Sequence, residues 1–268
     1  MNYKLIAMDF DGTLLNDKKE IGERTKETLI KYKKKGYKIV GVTARALLSA
    51  KAAIPFEIFD YLVLNNGVNL YDVLEDKENY VGKISKQSAS KIVEIVENFG
   101  CQINYIDFIS STTYYSYKKK KNSNISFIKD IDTIEEVKED IARMNLFFFD
   151  WNPIDEVCRC INTEQEDVDC FIMQDSGSQE KWLVVNPKGV DKKITLENLG
   201  KKLHIKLEEM IFFGNGLNDL PIMENIGCSV AMGNALDEIK EKADYVTSTN
   251  NEDGIAVFLE KHLEGHKS

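Results

Sequence analysis

The 268-residue chain carries 35 Lys+Arg against 44 Asp+Glu, a net charge of −9, with 43% apolar and 29% charged residues. That length buries the core of one large domain or two modest ones, and the composition excludes disordered, collagen-like and low-complexity classes. The acidic balance argues against a nucleic-acid partner, which needs a basic face, but leaves room for a small anionic substrate at a locally positive site.

Short unalternating apolar runs, the pattern of strands buried on both faces, end one after another in polar or Gly-containing turns. Leu5–Met8 ends at Asp9, residues 37–42 end at Thr43, and Tyr61–Leu64 ends at Asn65-Asn66-Gly67. Between the first two, residues 25–35 carry Leu29 and Tyr32 on one helical side and stop at Lys35-Gly36. The middle of the chain changes character. It predicts a helix over 89–98, strands over 102–109 and 113–117, a helix over 134–144, and strands over 146–150, 170–174 and 182–185. The alternating pattern then returns: a helix over 191–203, a strand over 210–213 ending at Gly214-Asn215-Gly216, a helix over 217–226, a strand over 229–232 and a helix over 236–243. The expected fold is therefore α/β, a doubly wound parallel-sheet (Rossmann-like) core over 1–82 and 187–268 with an inserted α+β domain over 83–186. Ligands of such sheets bind beyond the carboxyl ends of the strands, where the polar turns gather.

Five cysteines, Cys101, Cys158, Cys160, Cys170 and Cys228, make an odd number without CxxC or zinc spacing, and read as free thiols. The opening apolar run is too short for a signal peptide, and no stretch approaches the ~20 apolar residues of a membrane span. The expectation is a soluble, cytoplasmic protein with no membrane partner. Lys118–Lys121 reads as a solvated turn of the insert, with an electrostatic lip for an anionic substrate as the alternative. His204, His262 and His266 are isolated and point to no histidine chemistry.

Asp9-Phe10-Asp11-Gly12-Thr13-Leu14 is the most informative segment. Asp-x-Asp-Gly-Thr arises by chance in a chain this long with probability of roughly 0.003 at average residue usage, and here it follows a buried strand. With the order of the later turns, it makes the sequence resemble the haloacid dehalogenase (HAD) superfamily of phosphohydrolases, in its Cof-type branch with a large α+β cap. The resemblance implies that Asp9 is the nucleophile that becomes an aspartyl-phosphate and Asp11 the general acid/base, with Gly12 and Thr13 beside the substrate. Carboxylates are suited to both tasks: one can attack a phosphoryl group covalently, and the other can protonate the leaving alcohol and then deprotonate water.

Val42-Thr43-Ala44-Arg45 resembles the family's Thr-Gly-Arg segment, which implies a phosphoryl-binding hydroxyl on Thr43 and substrate or structural pairing by Arg45. Asn66 and Gly67 match a further site-lining turn. Residues 186–193 resemble the Pro-x-Gly-Val-Ser-Lys-Gly stretch; the register puts its lysine on Lys192, with Lys188 and Lys193 as competitors. Residues 213–219 resemble the metal-binding Gly-Asp-x-x-Asn-Asp segment, with Asn215 in place of its first Asp; Asn218 and Asp219 match, which implies that they orient the metal's ligands and hold Lys192, with Asn218 also at the substrate. The implied cofactor is Mg²⁺, held by Asp9, Asp11, Asn215 and Asp219. Asn215 offers an amide oxygen but no charge, so the chain either binds Mg²⁺ more weakly or carries an engineered Asp→Asn change. The implied activity is Mg²⁺-dependent hydrolysis of a small phosphorylated metabolite, a sugar phosphate or nucleotide. The alternatives are a phosphomutase and a catalytically weak phosphate-ligand binding or regulatory protein. Substrate choice would fall to the cap, where Tyr114, Tyr115, Tyr117, Phe147, Phe148, Phe149 and Trp151 are candidates, although 147–149 also reads as a buried strand.

Overall fold

The computed structural model describes residues 3–100, 103–110, 113–117, 128–149, 153–174 and 181–263. Cys101, Lys118–Lys121, Trp151, His266 and the Tyr114 side chain lie outside them. In chain order the first elements are β1 (Leu5–Met8), α1 (Glu23–Lys34), β2 (Lys38–Val42), α2 (Leu47–Ala53), β3 (Tyr61–Leu64), β4 (Asn69–Asp72) and β5 (Lys77–Tyr80). Next come α3 (Lys86–Asn98), β6 (Ile103–Ile109), β7 (Tyr114–Tyr117), β8 (Ile128–Ile131), β9 (Arg143–Phe148), α4 (Ile154–Glu164), β10 (Val168–Gln174) and β11 (Lys181–Pro187). The chain closes with α5 (Lys192–Leu203), β12 (Met210–Gly214), α6 (Leu220–Met223), β13 (Cys228–Ala231), α7 (Asp237–Lys242), β14 (Tyr245–Val246) and α8 (Gly254–Leu263). Two compact units result. One comprises Met1–Arg45, Ser49–Asn79 and Lys192–Ser268; the other comprises Ala46–Leu48 and Tyr80–Asp191.

The first unit is built on an eight-stranded sheet ordered β14-β13-β12-β1-β2-β3-β4-β5. From β14 to β3 the strands pair in parallel, and β4 returns antiparallel to β3. Helices cover both faces, which is why β1, β12 and β13 are apolar or small at every position and wholly buried. Leu5 and Ala7 of β1 pack with Val40, Leu196, Leu199 and Ile222 on one side. On the other, Phe258 of α8 meets Phe213 edge-on, and the Tyr32 hydroxyl of α1 donates to the Leu259 carbonyl. The strand order reverses at β1, between β12 and β2, so the carboxyl end of β1 lies at the switch point of the sheet.

The second unit is a six-stranded sheet ordered β10-β11-β9-β6-β7-β8 with α3 and α4 on one face. Ile92, Val96, Val157 and Ile161 of the helices pack on Ile106, Phe108, Met144, Leu146 and Val185 of the strands. Ser85 caps α3 by accepting the Ser88 N–H.

Several expected elements differ. The helix over 134–144 is absent: only Ile134–Glu136 turns, as a short 3-10 segment, and Arg143 and Met144 begin β9. Strand β9 is inserted between β6 and β11 and bonds to both, and this long-range pairing overrides the local helical pattern. The strand expected over 146–150 is thereby shifted forward, and Phe149 stands outside it, 68% exposed. The helix over 217–226 is instead a 3-10 turn, Leu217–Asp219, followed by the single-turn α6. Helices α2, α4 and α8 and strands β4, β5, β8 and β14 are additional. Among the described cysteines all four are free, with Cys170 and Cys228 buried and Cys158 and Cys160 half-buried. No described helix is long and apolar enough to cross a membrane.

Candidate active site

Asp9 follows β1 directly, and its N–H donates to the Phe213 carbonyl of β12 (3.0 Å), so the sheet itself holds the start of the site. Lys192, the first residue of α5, reaches back with Nζ 2.8 Å from Asp9 Oδ1 and 2.9 Å from Asp219 Oδ1. The three are buried together: Asp9 is 8%, Lys192 3% and Asp219 0% exposed. The competing Lys188 pairs instead with Asp169 at the surface. Asp219 spends its other oxygen on the N–H groups of Asn215 (3.2 Å) and Gly216 (3.1 Å), which explains why the chain coils into a 3-10 turn there. It is thus a clamp on Lys192 and on its own loop, with both oxygens engaged. Asn218 rests against Gly216 and does not reach Lys192.

Burial dominates Asp9 and, with the charges of Asp219 and Asp11 beside it, raises its pKa to about 7 against the opposing pull of Lys192. Burial alone would depress Lys192, but Asp219 and Asp9 more than reverse this and hold its ammonium charged. The result is one cation held between two carboxyl groups at a strand end.

Gly12 has φ +79°, and a Cβ there would lie 2.4 Å from Asn215 Nδ2. Glycine therefore permits both the turn and the close approach of the two loops. The Thr13 hydroxyl donates to Asn215 Oδ1 (2.9 Å), and Asn234 Nδ2 donates to the Gly12 carbonyl (2.8 Å). Thr13 and Gly12 thus position Asn215 in this structure. Asp9 Oδ2 and the second lone pair of Asn215 Oδ1 remain as hard oxygen donors. Among the described residues, no three His, Cys, Asp or Glu side chains gather into a cage for a metal. A cation that keeps waters and takes a ligand's oxygen fits this sparse donor set.

Thr43 is buried after β2 and accepts the Arg45 N–H at its Oγ1 (3.1 Å), which leaves its own O–H to donate. Arg45 grips Asp11 with both arms of its fork, Nε to Oδ2 at 2.8 Å and a terminal nitrogen to Oδ1 at 2.7 Å. Lys19, in the turn after β1, adds a third contact at 3.0 Å. Partial burial pushes Asp11 up, but the bonds and charges of Arg45 and Lys19 prevail and bring it down to about 2. Asn65, Asn66 and Gly67 all have positive φ, at 50°, 55° and 104°, and the Thr195 hydroxyl secures the turn at the Gly67 carbonyl (2.6 Å). Asn66 Oδ1 is buried there without a partner. Lys19 and Thr195 were not foreseen: nothing in a solvent-facing turn or a helix interior marks a contact set by tertiary placement.

The haloacid dehalogenase-like hydrolase family matches residues 6–259, and the chain belongs to it. It is similar to the stress response protein YhaX of Bacillus subtilis (strain 168), 29% identical over 98% of this chain and 94% of that protein. It is also similar to the 5-amino-6-(5-phospho-D-ribitylamino)uracil phosphatase YitU of the same organism, 28% identical over 97% of each. Among solved structures, TM0651 from Thermotoga maritima is 27% identical over 97% of each chain, with a TM-score of 0.79. The enzyme class is that of a phosphoric monoester hydrolase.

Proposed function

We propose that the chain removes phosphate from a small phosphorylated metabolite in two steps at Asp9, with Mg²⁺ as cofactor. The observation that carries this reading is the buried Asp9–Lys192–Asp219 cluster at the switch point of the sheet. Asp9 Oδ2 attacks phosphorus as the bond to the alcohol oxygen breaks, giving an aspartyl-phosphate. Asp11 supplies the proton to the departing alkoxide, then takes one from the water that attacks phosphorus and releases Asp9. To do so Asp11 has to leave Arg45 and Lys19, because a carboxylate held near pKa 2 carries no proton to give. Thr43 O–H and Lys192 Nζ donate to the phosphoryl oxygens as charge moves onto them. Asp9, the Asp11 carbonyl and Asn215, with Asp219 holding the Asn215 loop, would hold Mg²⁺, which would supply positive charge against the phosphate and Asp9. A neutral Asn215 lowers the charge available to hold it.

The name of the relative YitU makes 5-amino-6-(5-phospho-D-ribitylamino)uracil the first compound to assay, beside sugar phosphates and nucleotides. Phosphate release by the wild type with Mg²⁺, abolished by EDTA and by Asp9→Asn in a folded protein, is the expected result. Near-normal release by Asp9→Asn would remove Asp9 from the nucleophile's role.

A further inference from the structure

The turn Asn65-Asn66-Gly67 after β3 is held in a conformation the chain does not favour. Its φ angles, +50°, +55° and +104°, lie one after another in the left-handed region, where residues other than glycine are strained and stay only if the surroundings fix them. Asn65 and Asn66 are 0% and 6% exposed, and each buries its Oδ1 without a partner. Asn65 Nδ2 donates across the turn to Asn69 Oδ1 (2.8 Å). The backbone of the turn grips the end of β2. The Asn65 N–H donates to the Arg45 carbonyl (2.9 Å) and the Asn66 N–H to the Thr43 carbonyl (3.1 Å). Thr43 returns a bond from its own N–H to the Val63 carbonyl of β3 (2.8 Å). The turn therefore sets where Thr43 stands.

Thr195 ties this turn to α5. Its hydroxyl donates to the Gly67 carbonyl at 2.6 Å, across 128 residues of chain, and the residue is fully buried. It stands three positions after Lys192, so the two share one face at the start of the helix. Local propensity does not favour threonine inside a helix, and its hydroxyl ordinarily turns back to a carbonyl of its own helix. Here it is spent on another segment. Leu196 and Leu199 of α5 pack with Val42 and Val63 of β2 and β3. That apolar burial holds the helix to the sheet but is non-directional, and the hydroxyl bond supplies the direction that sets helix against turn.

We propose that Thr195 is a positioning residue for phosphoryl transfer: through the Gly67 carbonyl it holds the strained turn, and with it Thr43, in a fixed relation to Lys192. It touches no substrate itself. Thr43 and Lys192 come from separate segments, the end of β2 and the start of α5. Two such donors act together on one phosphoryl group only if their spacing is set before the substrate arrives. The proposal rests on the phosphatase reading above.

The test compares Thr195→Val, which keeps the shape and loses the hydroxyl, with Thr195→Ser, which keeps the hydroxyl. Thr25→Val is the control. Thr25 is also buried in the first unit, and its hydroxyl donates to Asp253 Oδ1 (2.7 Å), which is no residue of the site. Each full-length protein is assayed on p-nitrophenyl phosphate with Mg²⁺, at a temperature where its melting curve shows it fully folded. In Thr195→Val kcat should fall about threefold to tenfold, the worth of one neutral hydrogen bond. KM should change less than about twofold, because the displaced donors serve the charge of the transition state. Thr195→Ser should bring kcat back to within about twofold of wild type, and Thr25→Val should leave it there. Wild-type kcat in Thr195→Val, an equal loss in Thr25→Val, or no rescue by serine would overturn the proposal. If Thr195→Val does not fold, Thr195→Ala takes its place with the same expectations. If the wild type releases phosphate neither from this ester nor from sugar phosphates and nucleotides, the phosphatase reading fails. Calorimetric titration with orthovanadate, which mimics the phosphoryl group in transfer, then decides. Binding at least about threefold weaker in Thr195→Val and restored in Thr195→Ser supports the proposal; no binding by the wild type, or equal binding by all three, overturns it.

Discussion

Replacing Lys192 by Met keeps the length of the side chain and removes the one charge that sits between Asp9 and Asp219, 2.8 and 2.9 Å from their oxygens. Removing one partner of a buried ion pair costs about 3–5 kcal/mol, because the carboxylates left behind have no water to turn to. Part of that cost is recovered by protonation, and the pH dependence follows from the sign of the shift. Asp9 already has its pKa raised to about 7 in the folded protein, so the folded state holds a proton that the unfolded chain has lost. The stability from this proton is fully present below the unfolded value near 4 and is lost as pH rises towards 7. Without Lys192 the shift grows, and the loss extends to higher pH. The variant should therefore be nearly as stable as wild type at pH 5 and about 3 kcal/mol less stable at pH 8, measured by urea unfolding. In a chain of this size that corresponds to a Tm lower by roughly 6–12 °C at pH 8. A deficit equal at both pH values would refute the idea that Lys192 acts by neutralising two buried carboxylates. Wild-type stability at pH 8 would refute the buried geometry itself.

Three further outcomes are expected. Asn215→Asp adds a carboxylate beside Asp9; one charge pair at 4 Å is worth about 4 kcal/mol at an effective dielectric of 20, but desolvation and repulsion from Asp9 reduce this to a gain of one to two powers of ten in apparent Mg²⁺ affinity, read by titrating Mg²⁺ against phosphate release. Superimposable curves would remove Asn215 from the metal shell. Lys19→Met frees Asp11 from one exposed ion pair worth at most about 1 kcal/mol, so kcat on an alkyl phosphate should rise up to about fivefold, and more than on p-nitrophenyl phosphate, whose phenolate leaves without a proton; equal effects on both esters would show that Lys19 does not restrain the proton donor. Beryllium trifluoride with Mg²⁺ should bond to Asp9 and draw Thr43 and Lys192 towards its fluorines in a crystal structure, and an adduct elsewhere would count against the aspartyl-phosphate.

The α/β core was legible because a strand covered on both faces has to be apolar throughout, and Leu5–Met8, Tyr61–Leu64 and residues 210–213 say so in their own residues. Because such strands end in polar turns at one edge of a parallel sheet, Asp9, Thr43, Asn66 and Asn215 could be grouped before any coordinates. Lys192 could be aligned by motif, but only the burial of its ammonium between Asp9 and Asp219 distinguishes it from Lys188, which pairs with Asp169 at the surface. Tertiary structure alone decided three other features. Residues 134–144 have a helical pattern, yet Met144 belongs to a strand because Phe108 and Val185 lie on either side of it. Arg45 and Lys19 converge on Asp11 because a turn carries Lys19 back over the strand end. Thr195 meets Gly67 because α5 packs against β3, and no stretch of either segment records which residue the other brings beside it. Local pattern reports how deeply a residue is buried; which residue it meets there is set by pairings between segments far apart in the chain.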